Sequence, residues 1–256
     1  MEVHAHSHPS TSSGHRKKWT HYLWEFIMLF LAVFCGFLAE YQLEHSIEKQ
    51  RAKEFANSLN RDLVADTLIH NNSLSFLNLC MKKIDTLIEI LGNTIEIEKN
   101  TPSVYRLSVY AFIFPSSGAN ESTLQQLLNS GSLRYFKNNQ LVDAIKLYNL
   151  NVQTLKVFNE SAANFNIEFR KEQVKIIEIN PLLNYMNQNN FLSQKRNTTD
   201  TSVALFKNKR LLSNNELMLR EYANWCALKK FYMANSVANI TRVKEYAIAV
   251  LQVLNK

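Results

Sequence analysis

Three histidines alternate near the start of the chain, at His4, His6 and His8. Imidazole is a ligand of Zn²⁺, Ni²⁺ and Cu²⁺, and a short His-rich tract is a compositional sign of metal binding. Residues 1–21 are otherwise polar and small, and such a composition buries no core, so the alternative is a solvated, disordered leader. The sequence thus predicts a polar tail whose candidate chemistry is metal binding at these histidines.

Two of the three cysteines, Cys80 and Cys226, lie on or beside apolar stripes of different predicted helices. In an oxidising compartment they could form one disulfide, and as thiols they would be typical buried side chains. The third, Cys35, lies within a long apolar run. A Cys80–Cys226 bridge and a pair of buried thiols both remain open.

Glu25 stands at the edge of that apolar run. A carboxylate inside a membrane span can carry protons, so Glu25 is the candidate for a proton relay. It also lies one helical turn from His21 and two from Lys18, and beside those partners it can reach the polar interface instead. We expect the interfacial position and keep the relay as an alternative.

Other catalytic patterns are missing from the sequence. It contains no Gly-rich phosphate loop, HExxH, CxxC or GxSxG motif. His45 and His70 have no second ligand one helical turn later, so we expect solvated or hydrogen-bonded rings there. The sequence predicts a protein without enzymatic activity and without a cofactor.

The apolar run itself, from Phe26 to Ala39, contains no charged residue. Extended to residues 22–43 it has roughly 20 residues, enough for a helix to cross a hydrocarbon core of about 30 Å. Aromatic rings such as Trp24 favour the headgroup level, and charged residues flank the run. We predict a transmembrane helix at residues 22–43, its ends marked by Trp24, Glu25, Phe26, Ala39 and Glu40.

The flanking charges predict how this helix is oriented. Basic residues precede it and acidic residues follow it, namely Arg16, Lys17 and Lys18 against Glu40, Glu44 and Glu48. Cytoplasmic flanks carry the excess of Lys and Arg. We therefore expect a cytoplasmic N-terminus, a bacterial inner-membrane anchor and a periplasmic domain.

Few helix breakers follow the anchor, because the whole chain has five Gly and four Pro. Residues 44–54 carry few apolar side chains and are typical of a helical stalk, whereas residues 55–256 show stripes spaced by three and four. In the segment Ser122–Leu141, Ser122 is expected to cap a helix and Gly131 to end it. The last helix is expected after Ser213, with Glu216 in a capping box.

The two strongest stripes predict two long helices, the first extending to the Asn180–Pro181 break. Their members are Leu141, Ile145, Tyr148, Val152, Leu155, Phe158, Ala162, Phe165 and Phe169, then Met218, Tyr222, Trp225, Tyr232, Ile240, Val243, Ala247, Leu251 and Leu254. We predict an all-α protein: one transmembrane helix continuing into a stalk, then an antiparallel bundle of three or four long helices with short helical pieces.

The formal net charge of +7 is spread along the chain without a dense basic run. This pattern argues against a nucleic-acid partner and fits a domain beside anionic headgroups or an acidic protein. The expected partners are the lipid bilayer and either an unknown protein or a second copy, bound through the stalk or the bundle.

The N-terminal block, MEVHAHSH and KKWTHYLWEFIMLFLAVFCGFLAEYQLEHSIEKQRAKEF, resembles an uncharacterised family of single-span membrane proteins from Bacteroidota. The segment STLQQLLNSGSLRYFKNNQLVDAI is similar, more loosely, to a helical corner in related membrane proteins. The resemblance implies a short inner tail, one span and a helical outer domain, and implies no activity.

These observations predict a non-enzymatic, membrane-anchored helical protein that binds a partner or self-associates in the envelope. One alternative is a ligand-sensing bundle that signals through a partner, which a small-molecule pocket in the core would favour. The other is a membrane proton-relay component that uses Glu25.

Overall fold

The computed structural model describes residues 19–189, 191 and 203–255, and for Val203 and Ala204 the backbone alone. These residues form six α-helices and no strand, which confirms the all-α prediction. The helices are α1 (Trp19–Gly92), α2 (Ile97–Phe112), α3 (Ser122–Asn129), α4 (Asn139–Gln173), α5 (Ile179–Gln188) and α6 (Glu216–Leu254). Short 3-10 turns occupy Thr94–Glu96, Ser132–Tyr135 and Val203–Phe206.

The chain divides into two compact units, Met1–Lys53 and Glu54–Lys256. In the first unit, the described residues 19–53 all belong to α1. An 18-residue window there has a mean hydropathy of 2.1 and none of its residues is buried. Within the described part of the chain, α1 is the one helix long and apolar enough to cross a bilayer, as predicted.

In the second unit, α1 and α6 run antiparallel. Lys230 Nζ lies 2.5 Å from Asp85 Oδ1, and Lys244 Nζ donates to Asn71 Oδ1 at 2.8 Å. The two contacts are fourteen residues apart on each helix, and the residue numbers rise along α6 while they fall along α1. The two helices therefore keep one register over about four turns.

Helix α4 runs antiparallel to α2 and to α6. Gln173 Nε2 donates to Ser108 O, while Arg170 NH2 contacts Phe112 O one turn earlier on α4. Towards α6, Gln173 contacts Tyr222, and Asn166, seven residues earlier on α4, contacts Lys229, seven residues later on α6. The unit is an up-down-up-down bundle of α1, α2, α4 and α6, as the sequence predicts.

The buried face of α6 alternates spacings of three and four along its whole length. Its members are Leu219, Tyr222, Cys226, Lys229, Met233, Ser236, Ile240, Val243, Ala247 and Val250. The predicted stripe was only partly correct. Met218, Leu251 and Leu254 near the helix ends are half-buried. In the middle of the helix, Trp225 and Tyr232 are half-buried and lie beside Phe165. The core positions there belong to Cys226, Lys229 and Met233.

Several helix ends differ from the predictions. Helix α4 ends at Gln173, before the Asn180–Pro181 break, and Pro181 lies in the first turn of α5. Ser122 is the first residue of α3 and makes no side-chain cap. The N-cap of α6 is Asn215, whose side chain accepts from the backbone N–H of Leu217 and Met218, in place of the predicted cap at Ser213.

The predicted Gly131 turn is confirmed, because φ is +68° at this residue. Left-handed backbone costs a side-chain-bearing residue about 1–2 kcal/mol, and glycine avoids that cost. Gly131 precedes the turn Ser132–Tyr135, after which Asn138 caps α4. This local chemistry sets the corner between α3 and α4.

Candidate functional site

A lysine occupies the centre of the bundle. Lys229 is fully buried on α6, and its ammonium donates a hydrogen bond to Asn166 Oδ1 on α4. The rings of Phe114 and Phe169 lie 4.8 and 5.0 Å from Nζ, within the range of cation–π attraction. We call Lys229, Asn166, Phe114 and Phe169 the lysine cluster.

The thiols of Cys80 and Cys226 flank this cluster, and both side chains are fully buried. The structure contains no disulfide between them, and each is a thiol. Burial raises the pKa of Cys226 to about 12, so its thiolate is disfavoured at neutral pH. A bridge between the two stays a prediction of the sequence alone.

The pKa of Lys229 is lowered to about 7, first because burial removes water from the ammonium and second because Arg170 repels it. The two neighbouring thiols act in the opposite direction. An amine of this kind exchanges a proton near neutral pH. A substrate cannot reach this amine, because the side chain is fully buried. A proton exchanged there changes only the charge of the core.

A second buried polar side chain, Tyr222, lies two turns before Lys229 on the same face of α6. Tyr222 donates to Ser108 Oγ at 3.1 Å and accepts from Gln173 Nε2 at 3.0 Å. Burial raises the pKa of Tyr222 well above its usual value. These bonds satisfy buried polar atoms of three helices and fix their register.

A buried carboxylate holds the segment between α2 and α3, residues 113–121, which we call the clasp loop. Both oxygens of Asp66 on α1 accept from the backbone N–H of Asn120 at 3.0 Å, and one accepts from Tyr148 of α4 at 3.1 Å. Burial raises the pKa of Asp66, and the bonds from Asn120 and Tyr148 partly oppose that rise. Asp62 adds a bond to the Asn120 side chain at 3.0 Å.

One turn further along α1, His70 contacts the same loop. Its Nδ1 lies 2.7 Å from Ser117 Oγ, and both side chains are buried. Burial, and next the charge of Lys244, lower the pKa of His70 to about 4. From α4, the Asn159 amide donates to the carbonyl of Ser117 at 3.0 Å.

A serine beside a histidine is also the arrangement of a nucleophile and its base. In this pair, His70 Nε2 has no hydrogen-bond partner among the described residues, so no third group orients the ring as a triad requires. Ser117 is 2% exposed, which leaves no access for a substrate. We interpret the pair as a packing contact of the clasp loop.

The predicted anchor residues are exposed, with Trp24 at 65% and Phe26 at 64%. Glu25 Oε1 lies 3.2 Å from His21 Nε2, the partner expected one turn away. Ala39 and Glu40 lie on the same exposed part of α1. These positions leave the whole apolar segment available to lipid.

No cluster of three or more His, Cys, Asp and Glu side chains suited to a metal ion occurs among residues 19–189, 191 and 203–255. The predicted metal ligands His4, His6 and His8 lie outside the described residues. His45 contacts Glu48 at 3.2 Å, which fits the expected hydrogen-bonded ring.

Sequence reasoning missed the buried roles of Lys229, Asp66 and Asn166. The signal for Lys229 was present, because a strict 3-4 spacing through Tyr222, Cys226 and Met233 passes through it. No comparable sequence signal marks Asp66. The chain matches no protein-family model, no curated protein and no solved structure.

Proposed function

We propose that this chain is a non-enzymatic, single-span envelope protein whose helical bundle binds a protein partner or a second copy. One observation carries the proposal: α1 presents an apolar window with none of its residues buried, while the second unit closes its own core without that window. An exposed apolar helix of this length fits a lipid bilayer.

The orientation follows from the charges around the span. Arg16, Lys17 and Lys18 favour a cytoplasmic N-terminus, which would place the bundle in the periplasm. The close pair of His21 and Glu25 is compatible with an interfacial position for Glu25 and gives no support to a proton relay.

The exposed surface of α4 supports partner binding. Leu147, Leu150 and Val157 are 45%, 61% and 67% exposed and lie on one side of the helix at spacings of three and seven. Apolar residues grouped on a surface mark interaction sites more often than isolated ones do.

Topology is tested with single cysteines at Ser10 and Asn187 in a cysteine-free chain, probed in intact cells with a membrane-impermeant maleimide. Asn187 is exposed in the structure. Labelling at Asn187 alone supports the proposed orientation. Labelling at Ser10 alone would place the bundle in the cytoplasm and refute it.

Partner binding is tested with a photo-crosslinking amino acid at Leu150, with Lys137 as an exposed control outside this α4 surface. We expect a discrete crosslinked species from Leu150 alone. Its mass distinguishes a second copy from another protein. Equal crosslinking from both positions, or none from either, would refute an interface on α4.

A further inference from the structure

A polar cleft of about 590 Å³ lies at the end of the bundle where α1 ends and α6 begins. Its lining consists of Glu98, Thr101, Lys207, Asn208, Lys209, Arg210, Leu211 and Asn214. We call it the basic cleft, because it carries three cationic side chains and one carboxylate. Its volume is within the range of about 300–1,000 Å³ that is usual for small-molecule sites.

Residues 207–210, which carry the cations of the cleft, follow a phenylalanine that is packed among aromatic side chains. Phe206 is fully buried and stacks on Tyr105 at a ring distance of 5.3 Å, with Tyr185 at 5.5 Å. The Tyr105 hydroxyl donates to Arg210 O at 2.9 Å and accepts from the backbone N–H of Glu178 at 3.2 Å. The backbone that carries the cations is therefore held in place before any ligand binds.

The charges of the cleft do not cancel. Lys209 is paired with Glu178 at 3.1 Å, and the Glu98 carboxylate accepts from the Asn214 amide at 3.3 Å. Lys207 and Arg210 form no ion pair with any residue that the structure describes. Lys207 and Arg210 share the cleft with one carboxylate that has no cationic partner among the described residues, Glu98, so one positive charge is left in excess beside the amide and hydroxyl groups.

We propose that the basic cleft binds a small phosphorylated anion. Arginine presents a planar fork of donors that matches phosphate oxygens, and lysine adds a mobile point charge. Asn208 also lines the cleft and carries an amide that can hydrogen-bond a ligand, whereas the Asn214 amide donates to Glu98. This site goes beyond the proposed function, because it lies within Glu54–Lys256 and depends on neither the anchor nor the α4 surface.

The test is isothermal titration of the full-length chain in phosphatidylcholine nanodiscs with pyrophosphate and with inorganic phosphate. We expect saturable binding of one pyrophosphate per chain. The double variant Lys207→Gln/Arg210→Gln should weaken its Kd by about tenfold or more. Glu98→Gln should tighten it by about threefold, because the opposing carboxylate is lost.

The control is Lys82→Gln/Lys137→Gln, which removes the same charge at two exposed lysines outside the cleft. It should leave the Kd within about twofold of the wild type. Unchanged binding in the cleft variant, an equal loss in the control, or no binding of either probe would overturn the proposal. Far-UV circular dichroism of each variant verifies that the helices are intact.

A second set of nanodiscs containing phosphatidylglycerol separates two sources of the phosphate. Weaker pyrophosphate binding in these discs, absent from the cleft variant, would identify a lipid headgroup as the competing ligand. An unchanged Kd would identify a free anion. Topology labelling is independent of this titration, so the two proposals fail separately.

Discussion

The hydroxyl of Tyr148 donates a 3.1 Å hydrogen bond to Oδ2 of Asp66, 82 residues earlier in the chain. The same carboxylate accepts the backbone N–H of Asn120. One buried side chain thereby joins α1, α4 and the clasp loop. Burying a carboxylate without hydrogen bonds is costly, whereas the bonds to Asn120 and Tyr148 make the buried Asp66 stabilising.

Removing this carboxylate should destabilise the bundle strongly. Asp66→Ala leaves the Tyr148 hydroxyl and the Asn120 N–H without their acceptor, and we expect a loss of about 2–4 kcal/mol. Tyr148→Phe removes one bond and should cost about 1–2 kcal/mol. Chemical denaturation of the full-length chain in detergent, followed by circular dichroism, measures both. The control Tyr246→Phe, at a half-buried tyrosine, should change little, and an equal loss there would contradict the interpretation.

His70 should make the protein sensitive to mild acid. Its pKa is about 4 in the folded state against an ordinary value of 6.5, so the unfolded state binds more protons between these values. Stability therefore falls as the pH drops from 6.5 to 4, by up to about 3 kcal/mol. Asp66, whose pKa is raised, works in the opposite direction, because its folded form gains a proton first.

The variant His70→Gln keeps an amide that can bond Ser117 but cannot titrate. Comparison of Tm at pH 7 and pH 4.5 should show a smaller loss for this variant than for the wild type. Parallel losses in the two proteins would assign the acid sensitivity to other groups.

The lysine cluster should lower stability at neutral pH. Lys229→Met with Asn166→Leu replaces a buried ammonium and its partner by apolar groups, and we expect a gain on the order of 2 kcal/mol. Because the pKa of Lys229 is about 7 when folded and higher when unfolded, wild-type stability rises from pH 7 toward pH 10. The gap in Tm between the two proteins should therefore narrow across this range. A difference in Tm that does not change with pH would show that the deprotonation of Lys229 does not cause the rise in stability.

Gly131 should be sensitive to a single methyl group. Gly131→Ala forces a side chain into the left-handed region at φ +68° and should cost about 1–2 kcal/mol, although the added carbon meets no atom within 4 Å. Gly118→Ala, also in open space and without a positive φ, is the matched control and should cost much less. Equal melting temperatures for the two variants would argue against backbone strain.

The buried thiols make a prediction about oxidation. In the native protein, purified without reductant, Cys80 and Cys226 should resist maleimide because both are fully buried. In denaturant, all three cysteines should react. Mass spectrometry counts the labels, and a denatured chain labelled at Cys35 alone would instead demonstrate the disulfide that the sequence allows.

Local physics determined a large part of this protein. The apolar run at residues 22–43 and the scarcity of Gly and Pro were enough to predict the candidate span and the helical class. Repeats of three and four also placed Tyr148, Tyr222 and Ile240 correctly in the core. These features depend on residues within a few turns of one another, which a linear pattern contains.

Tertiary contacts decided the remainder. Helix α4 ends at Gln173, seven residues before Asn180. The segment that follows is fixed by distant residues: the carbonyl of Ile176 accepts from the N–H of Leu212, and the N–H of Glu178 donates to the Tyr105 hydroxyl. Lys229 can be buried because its ammonium is stabilised by a hydrogen bond to Asn166, 63 residues away, and by the rings of Phe114 and Phe169. The partners of Lys229 and Asp66 come from distant helices and from the clasp loop, and their separation in sequence is why only the packed bundle shows them.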